Sequence, residues 1–217
     1  MMIYLSSIIV RMEVISILVI TLSVLIVSEA NSAPVTFKFS GTVFQVDAQL
    51  SGVASVGDKI SGSYTFDSAS PDLAPTDPTF GDYLSATPYS VAVGSFSSSG
   101  TGVTFNIFDN LVLGSFYRDQ YRAVLGNNGP KVNGLVYNGF SLDLWTQLNY
   151  QPTTLSSDRL PTVAPSIGTF QNNQLRFYFI NQNNGVYYII GDITSMTTPC
   201  VRIVVASEGP LSVGFWR

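Results

Sequence analysis

The chain of 217 residues has no histidine and only one cysteine, Cys200. Without histidine, the usual Ser-His-Asp and Cys-His catalytic arrangements and all His-based zinc sites are excluded. One thiol can form neither an intramolecular disulfide nor a thiolate metal centre. We interpret Cys200 as an incidental residue of a C-terminal tail, the alternative being a partner in an intermolecular disulfide.

Charged residues are also scarce, at 11% of the chain, and the formal net charge is -4. Glu and Lys, which usually fill exposed helix faces, are almost absent beyond residue 30. Ser, Thr, Gly, Asn, Val, Tyr and Phe take their place, a composition typical of strands and turns. The sequence shows no surplus of clustered basic residues, so we expect no nucleic-acid partner.

Residues 1–30 have the pattern of a secretory signal peptide. An uncharged apolar run at 14–27 follows Arg11 and precedes Ser28-Glu29-Ala30, where small residues suit cleavage after Ala30. The alternative is an uncleaved leader that anchors the protein in the membrane. Arg11 and Glu13 interrupt the apolar span of about 20 residues that crossing a bilayer requires, so we favour cleavage of this signal helix. The pattern predicts a secreted or cell-surface protein.

Beyond the leader, apolar and polar residues alternate with period two. The clearest stretches are 35–43, 60–66, 103–107 and 175–179, and an Asn-Gly pair at 184–185 predicts a hairpin between two strands. Such strands bury one face and expose the other, as in antiparallel sheets. About eight or nine strands predict an all-β domain over 31–196, folded as an antiparallel β-sandwich or jelly roll. An irregular tail at 197–217 follows.

Several segments carry a family resemblance. They are Phe39-Ser-Gly-Thr-Val43, Val56-Gly-Asp-Lys-Ile-Ser-Gly-Ser-Tyr-Thr-Phe-Asp-Ser68, Ser70-Pro-Asp72, Leu155-Ser-Ser-Asp-Arg-Leu-Pro161 and Gly191-Asp-Ile-Thr-Ser195. With these, the chain resembles exported bacterial proteins that carry a C-terminal Pro-Glu-Pro sorting signal (PEP-CTERM proteins). The resemblance implies a secreted or surface-bound β-sandwich from an envelope rich in exopolysaccharide. The chain departs from the family after Thr198, where the Pro-Glu-Pro signal is missing.

Four aspartates recur at every fifth residue of one loop: Asp67, Asp72, Asp77 and Asp82. A loop folded back on itself would gather their carboxylates around calcium, which prefers oxygen ligands. Alternatively, each aspartate begins a turn beside a Pro or Gly by accepting bonds from its own backbone. Calcium is the one cofactor that the sequence suggests.

Aromatic residues suggest a ligand-binding surface. Within 135–145, simple alternation predicts one face of Val136, Phe140, Leu142 and Leu144, and an opposite face of Tyr137, Ser141, Asp143 and Trp145. Rings beside a carboxylate on a solvated sheet face would stack a sugar ring and bond its hydroxyls. Tyr178 and Tyr188, at outward positions of the predicted hairpin, would extend this surface. The alternative is that these rings simply pack under a covering loop.

Together these features predict an exported, non-catalytic surface or matrix protein that binds extracellular polysaccharide. One alternative is a calcium-dependent or Asp-based carbohydrate-active enzyme. Another is a structural module that associates with its own copies through sheet edges. The sequence leaves the ligand and the oligomeric state open.

Overall fold

The computed structural model describes residues 34–199. The predicted signal helix, Cys200 and the tail beyond it lie outside the described residues. Eight strands make up the described part: β1 (Pro34–Val46), β2 (Lys59–Asp67), β3 (Phe80–Val93), β4 (Phe96–Leu113), β5 (Phe116–Leu125), β6 (Val136–Leu148), β7 (Asn172–Ile180) and β8 (Val186–Thr197). Two short 3₁₀ segments, Ala48–Leu50 and Ile167–Thr169, interrupt the connections. Among residues 34–199 there is no helix with the length and apolar character needed to span a membrane.

The strands form one closed barrel. Each strand pairs antiparallel with the next, and β1 also pairs with β8, from Lys38 opposite Thr197 to Val46 opposite Ile189. The structure is therefore all-β and antiparallel, but the predicted sandwich or jelly roll is wrong. Alternating side chains are required equally by two stacked sheets and by a single sheet that closes on itself, so the pattern alone could not separate them.

Bulges and inward-facing glycines accompany the closure. Strand β1 has register shifts between Ser40 and Gly41 and between Val43 and Gln45 where it pairs with β8. A Cβ at Gly62 would lie 2.4 Å from the Phe39 Cζ and 2.5 Å from the Ser90 carbonyl oxygen. Bulges and glycines let strands bend sharply, and small residues leave room for large ones inside a narrow barrel.

Aromatic side chains fill the barrel interior. Phe39 on β1 stacks on Phe140 of β6, with ring centroids 5.4 Å apart, and the Phe96 and Phe177 rings of β4 and β7 meet edge to face at 6.1 Å. These strands are not neighbours in the sheet, so the contacts cross the interior. Burial of such rings removes large apolar areas from water and is the main stabilising contribution.

One polar contact lies inside this core. The hydroxyl oxygens of Tyr64 on β2 and Tyr121 on β5 are 2.8 Å apart, and both side chains are fully buried. Burial raises the pKa of each phenol well above its ordinary value, with the neighbouring hydroxyl a smaller influence. The two hydroxyls therefore stay neutral and share one hydrogen bond, in which one donates and the other accepts.

The long connection between β6 and β7 is bound to the barrel by Asp119, which is fully buried near the start of β5. One carboxylate oxygen accepts the Asn110 backbone N–H at 2.9 Å, and the other accepts the Leu155 backbone N–H at 2.8 Å. The Tyr83 hydroxyl also donates to the Asp158 carbonyl oxygen at 3.1 Å. These bonds hold the connection against the β4–β5 end of the barrel.

Candidate functional site

Tyr137 does not lie on the surface that the sequence predicts. A register shift separates Tyr137 from Gly139 in the β6–β7 pairing, and Gly139 has φ 130°. The extra residue reverses the alternation, so that Tyr137 points into the core, 1% exposed, against Phe96 and Phe179 at ring distances of 4.9 and 5.5 Å. The prediction that Tyr137 shares a solvated face with Trp145 is wrong. In the sequence, Gly139 was the signal for this reversal, because a glycine inside a strand often marks a bulge.

The other predicted binding residues do lie on one outer surface. Asp143 and Trp145 on β6, Tyr178 on β7 and Tyr188 on β8 all occupy outward strand positions. Cross-strand pairing places Tyr178 opposite Tyr188. Ser141 on β6, predicted on the same face, also lies there, and the other members come from β5 and β7. We call the whole set the outer face: Arg118, Gln120, Arg122, Ser141, Asp143, Trp145, Gln174, Arg176, Tyr178 and Tyr188.

Arg176 links the two aromatic parts of the outer face. Its guanidinium carbon lies 5.9 Å from the centre of the Trp145 ring, within the range of about 6 Å for a cation–π contact. On its other side the Tyr178 and Tyr188 rings meet edge to face, with centroids 5.5 Å apart and an interplanar angle of 72°. An aromatic surface therefore continues across β6, β7 and β8.

Asp143 holds this surface in position. The Gln120 Nε2 donates to Asp143 Oδ1 at 3.0 Å, and the Ser141 hydroxyl donates to Oδ2 at 2.8 Å. Ser141 has one proton, which it gives to the carboxylate, so the Tyr178 hydroxyl 2.8 Å away donates to the Ser141 oxygen. The Arg122 Nε lies 3.4 Å from Oδ1, and only 6% of the Asp143 side chain is exposed. Asp143 thus orients Tyr178 and neutralises Arg122, rather than offering its oxygens to a ligand.

Two shallow hollows lie on either side of Arg176. One, of about 240 Å³, is lined by Arg118, Gln120, Asp143, Trp145 and Arg176. The other, of about 410 Å³, is lined by Phe44, Gln45, Gln174, Arg176, Tyr178, Tyr188 and Ile190. Small-molecule pockets usually enclose most of their ligand's surface, whereas these two hollows are open to solvent. These open hollows suit an extended molecule that lies across the strands.

The four aspartates of the predicted calcium loop are engaged by the protein itself. Asp67 accepts the Ala69 N–H, and Asp77 accepts both the N–H and the hydroxyl of Thr79. A carboxylate oxygen of Asp72 accepts the backbone N–H groups of Ala74 and Asp82, and Asp82 accepts the Asn106 amide at 3.0 Å. Within residues 34–199, no group of three or more acidic, histidine or cysteine side chains is arranged to hold a metal. The geometry is that of aspartate turns.

A second acidic group lies where the β6–β7 connection meets the barrel. Partial burial, together with the charges of Asp119 and Asp158, raises the pKa of the Asp109 carboxyl. A raised carboxyl pKa is a property of general acids. However, both oxygens of Asp119 accept backbone N–H groups, so this neighbour has a structural role.

Sequence reasoning missed the polar members of the outer face that come from β5 and β7. Arg118, Gln120 and Arg122 alternate with inward residues on β5, as Gln174 and Arg176 do on β7. That alternation is readable in the sequence, but the pairing that places Gln120 opposite Trp145 and Arg176 opposite Ser141 is not.

Comparison with known proteins adds no relative from which a role could be transferred. No protein-family model matches the chain, and searches of curated proteins and of solved structures find no match.

Proposed function

We propose that this protein is an exported, non-catalytic surface or matrix protein that binds extracellular polysaccharide on the outer face of its barrel. The observation that carries the proposal is the continuous row of Trp145, Arg176, Tyr178 and Tyr188 across three neighbouring strands. Export rests on the leader pattern of residues 1–30.

The row has the chemistry that recognises sugars. Aromatic rings offer flat apolar surfaces to the C–H faces of a pyranose, and the glutamine and arginine groups between them donate hydrogen bonds to hydroxyls. The Tyr178 ring is held in place before binding, because its hydroxyl is bonded through Ser141 to Asp143. Prior ordering of binding groups reduces the entropy lost when a ligand binds.

The opposite part of the barrel differs. There a hollow on β2, β3 and β4 is lined by small residues: Ser61, Gly62, Ser90, Val91, Ala92, Ser97, Ser98 and Ser99. It offers no ring on which a sugar could stack. This contrast favours the β5–β8 side as the binding surface.

A glycan array probed with the full chain, with calcium and with a chelator, tests the proposal. We expect binding to one or more polysaccharides that Trp145→Ala and Tyr178→Ala each weaken. Tyr150→Ala is the matched control, because Tyr150 is an aromatic residue 63% exposed outside the outer face. Circular dichroism must show that each variant keeps the β spectrum.

Three results would reject parts of the proposal. Binding unchanged in both aromatic variants would remove the outer face as the site. Binding lost with the chelator would favour the calcium-dependent alternative. Depolymerisation of a bound polysaccharide, abolished by Asp109→Asn, would show that the protein is an enzyme after all.

A further inference from the structure

We propose that the outer face selects an anionic polysaccharide, one whose sugar rings carry carboxylate groups. This inference rests on the proposed function and names the ligand class of the same site. Arg118, Arg122 and Arg176 are three of the ten basic residues of a chain whose net charge is -4, and all three occur on this face.

Two of these arginines are held by neutral partners. The Arg118 Nε donates to the Gln147 side-chain oxygen at 3.1 Å, and the Arg176 Nε donates to the Gln174 side-chain oxygen at 3.1 Å. In each case a second guanidinium nitrogen bonds the same oxygen. An amide oxygen orients a guanidinium but leaves its charge unneutralised. Each arginine has five N–H groups, so two bonds to glutamine do not exhaust its donors.

Asp143 is the one carboxylate placed among the three arginines. Within residues 34–199, its contact with Arg122 is the single ion pair closer than 4 Å. Only 6% of the Asp143 side chain is exposed, whereas 40% of the Arg122 side chain is exposed. The hollow around Trp145 therefore presents an excess of positive charge to solvent.

Two other acids lie next to residues that line the second hollow. Asp192 on β8 pairs with Gln174 of β7 and with Thr42 of β1, whose hydroxyl accepts a bond from the Lys59 ammonium at 3.2 Å. A carboxylate oxygen of Asp47 accepts the Tyr188 backbone N–H at 2.9 Å. Neither acid lines either hollow.

Arginines beside aromatic rings match a uronic-acid chain better than a neutral one. The fork of a guanidinium bonds a carboxylate with two parallel N–H groups, and charge-assisted bonds of this kind are among the strongest in proteins. Stacking on Trp145 would place the carboxylate of a pyranuronate ring near Arg118 or Arg176. A neutral sugar would supply no negative charge to pair with these arginines.

The experiment compares polygalacturonate with its fully methyl-esterified form, which has the same backbone without charge. Calorimetry on the full chain, in a chelating buffer, should show binding of polygalacturonate at least about tenfold tighter than of the ester. Arg118→Gln and Arg176→Gln should each reduce polygalacturonate affinity about tenfold or more, and by a larger factor than they reduce binding of the ester. Arg176→Lys, which keeps the charge but not the fork, should restore only part of the loss. Arg159→Gln, a charge change on an exposed loop arginine outside the outer face, is the control.

The outcomes separate this inference from the proposed function. Equal binding of the two polymers, weakened by Trp145→Ala but not by the arginine variants, would overturn the anionic selectivity and leave the aromatic surface intact. Binding of neither polymer, combined with an array that shows no glycan at all, would overturn both. Loss of polygalacturonate binding in Arg159→Gln to the same extent as in Arg176→Gln would show that overall charge acts, and would also overturn the selectivity.

Discussion

The buried pair of tyrosine hydroxyls yields the sharpest prediction about stability. Tyr64 and Tyr121 lie on β2 and β5, meet across the barrel core and share one hydrogen bond at 2.8 Å. Changing Tyr121→Phe removes one hydroxyl and leaves the other in a fully buried apolar environment. Changing Tyr64→Phe does the same from the other side.

The expected magnitudes follow from the desolvation of the hydroxyl that remains. A buried polar group left without a partner lowers the free energy of unfolding by about 1–3 kcal/mol, so each single variant should lose that amount. The double variant removes both polar groups and restores an entirely apolar contact. Its loss should be smaller than that of either single variant, because replacing both partners by apolar groups is nearly neutral. The coupling between the two sites should therefore be about 1 kcal/mol or more.

Urea unfolding followed by circular dichroism measures the four free energies of the cycle. The slope of the transition should stay constant, because the fold and the buried area are unchanged. Tyr150→Phe, at a site 63% exposed, is the control and should change the free energy by less than about 0.5 kcal/mol. If the two single losses simply add in the double variant, the hydroxyls do not satisfy each other and the reasoning is refuted.

Two other predictions concern the barrel. Gly62→Ala should destabilise it by about 1–3 kcal/mol through overpacking, since a Cβ there would lie 2.4 Å from Phe39. Gly168→Ala, with open space around its Cβ position, is the control, and equal urea midpoints for the two variants would contradict the argument. Burial raises the pKa of Tyr64 and of Tyr121, so the folded state keeps phenol protons that the unfolded chain loses above pH of about 10. The two phenols contribute fully to the free energy of unfolding below that pH. Above it, the free energy of unfolding falls by about 1.4 kcal/mol per pH unit for each phenol. Between about pH 9 and about pH 12, the urea midpoint of the double Phe variant should fall less steeply with pH than that of the unaltered protein. Identical dependences on pH would contradict the linkage.

The strand positions were largely readable from the sequence, and one local error shows why the site was not. Alternation identified β6, but it misplaced Tyr137 because the bulge at Gly139 inserts a residue into the pairing. A single inserted residue moves every side chain on one side of it to the opposite face. Trp145 therefore occupies the outward strand position that alternation predicts, whereas Tyr137 points into the core.

The arginines of the outer face illustrate the second limit. Arg122 and Asp143 are separated by 21 positions in the chain, yet they face each other across the β5–β6 ladder. Arg176 reaches Trp145 from the neighbouring strand. Such contacts depend on which strands pair and in which register, and the residues of a single strand determine neither.

The amino-acid order alone determined that this is an all-β protein of alternating strands, without histidine-based chemistry and with little charge. These properties are local, because side chains alternate along any extended backbone. Only the tertiary structure decided that one sheet closes into a barrel, and which side chains share its outer face. Closure depends on contacts between distant strands, such as β1 with β8, where bulges and inward glycines allow the curvature.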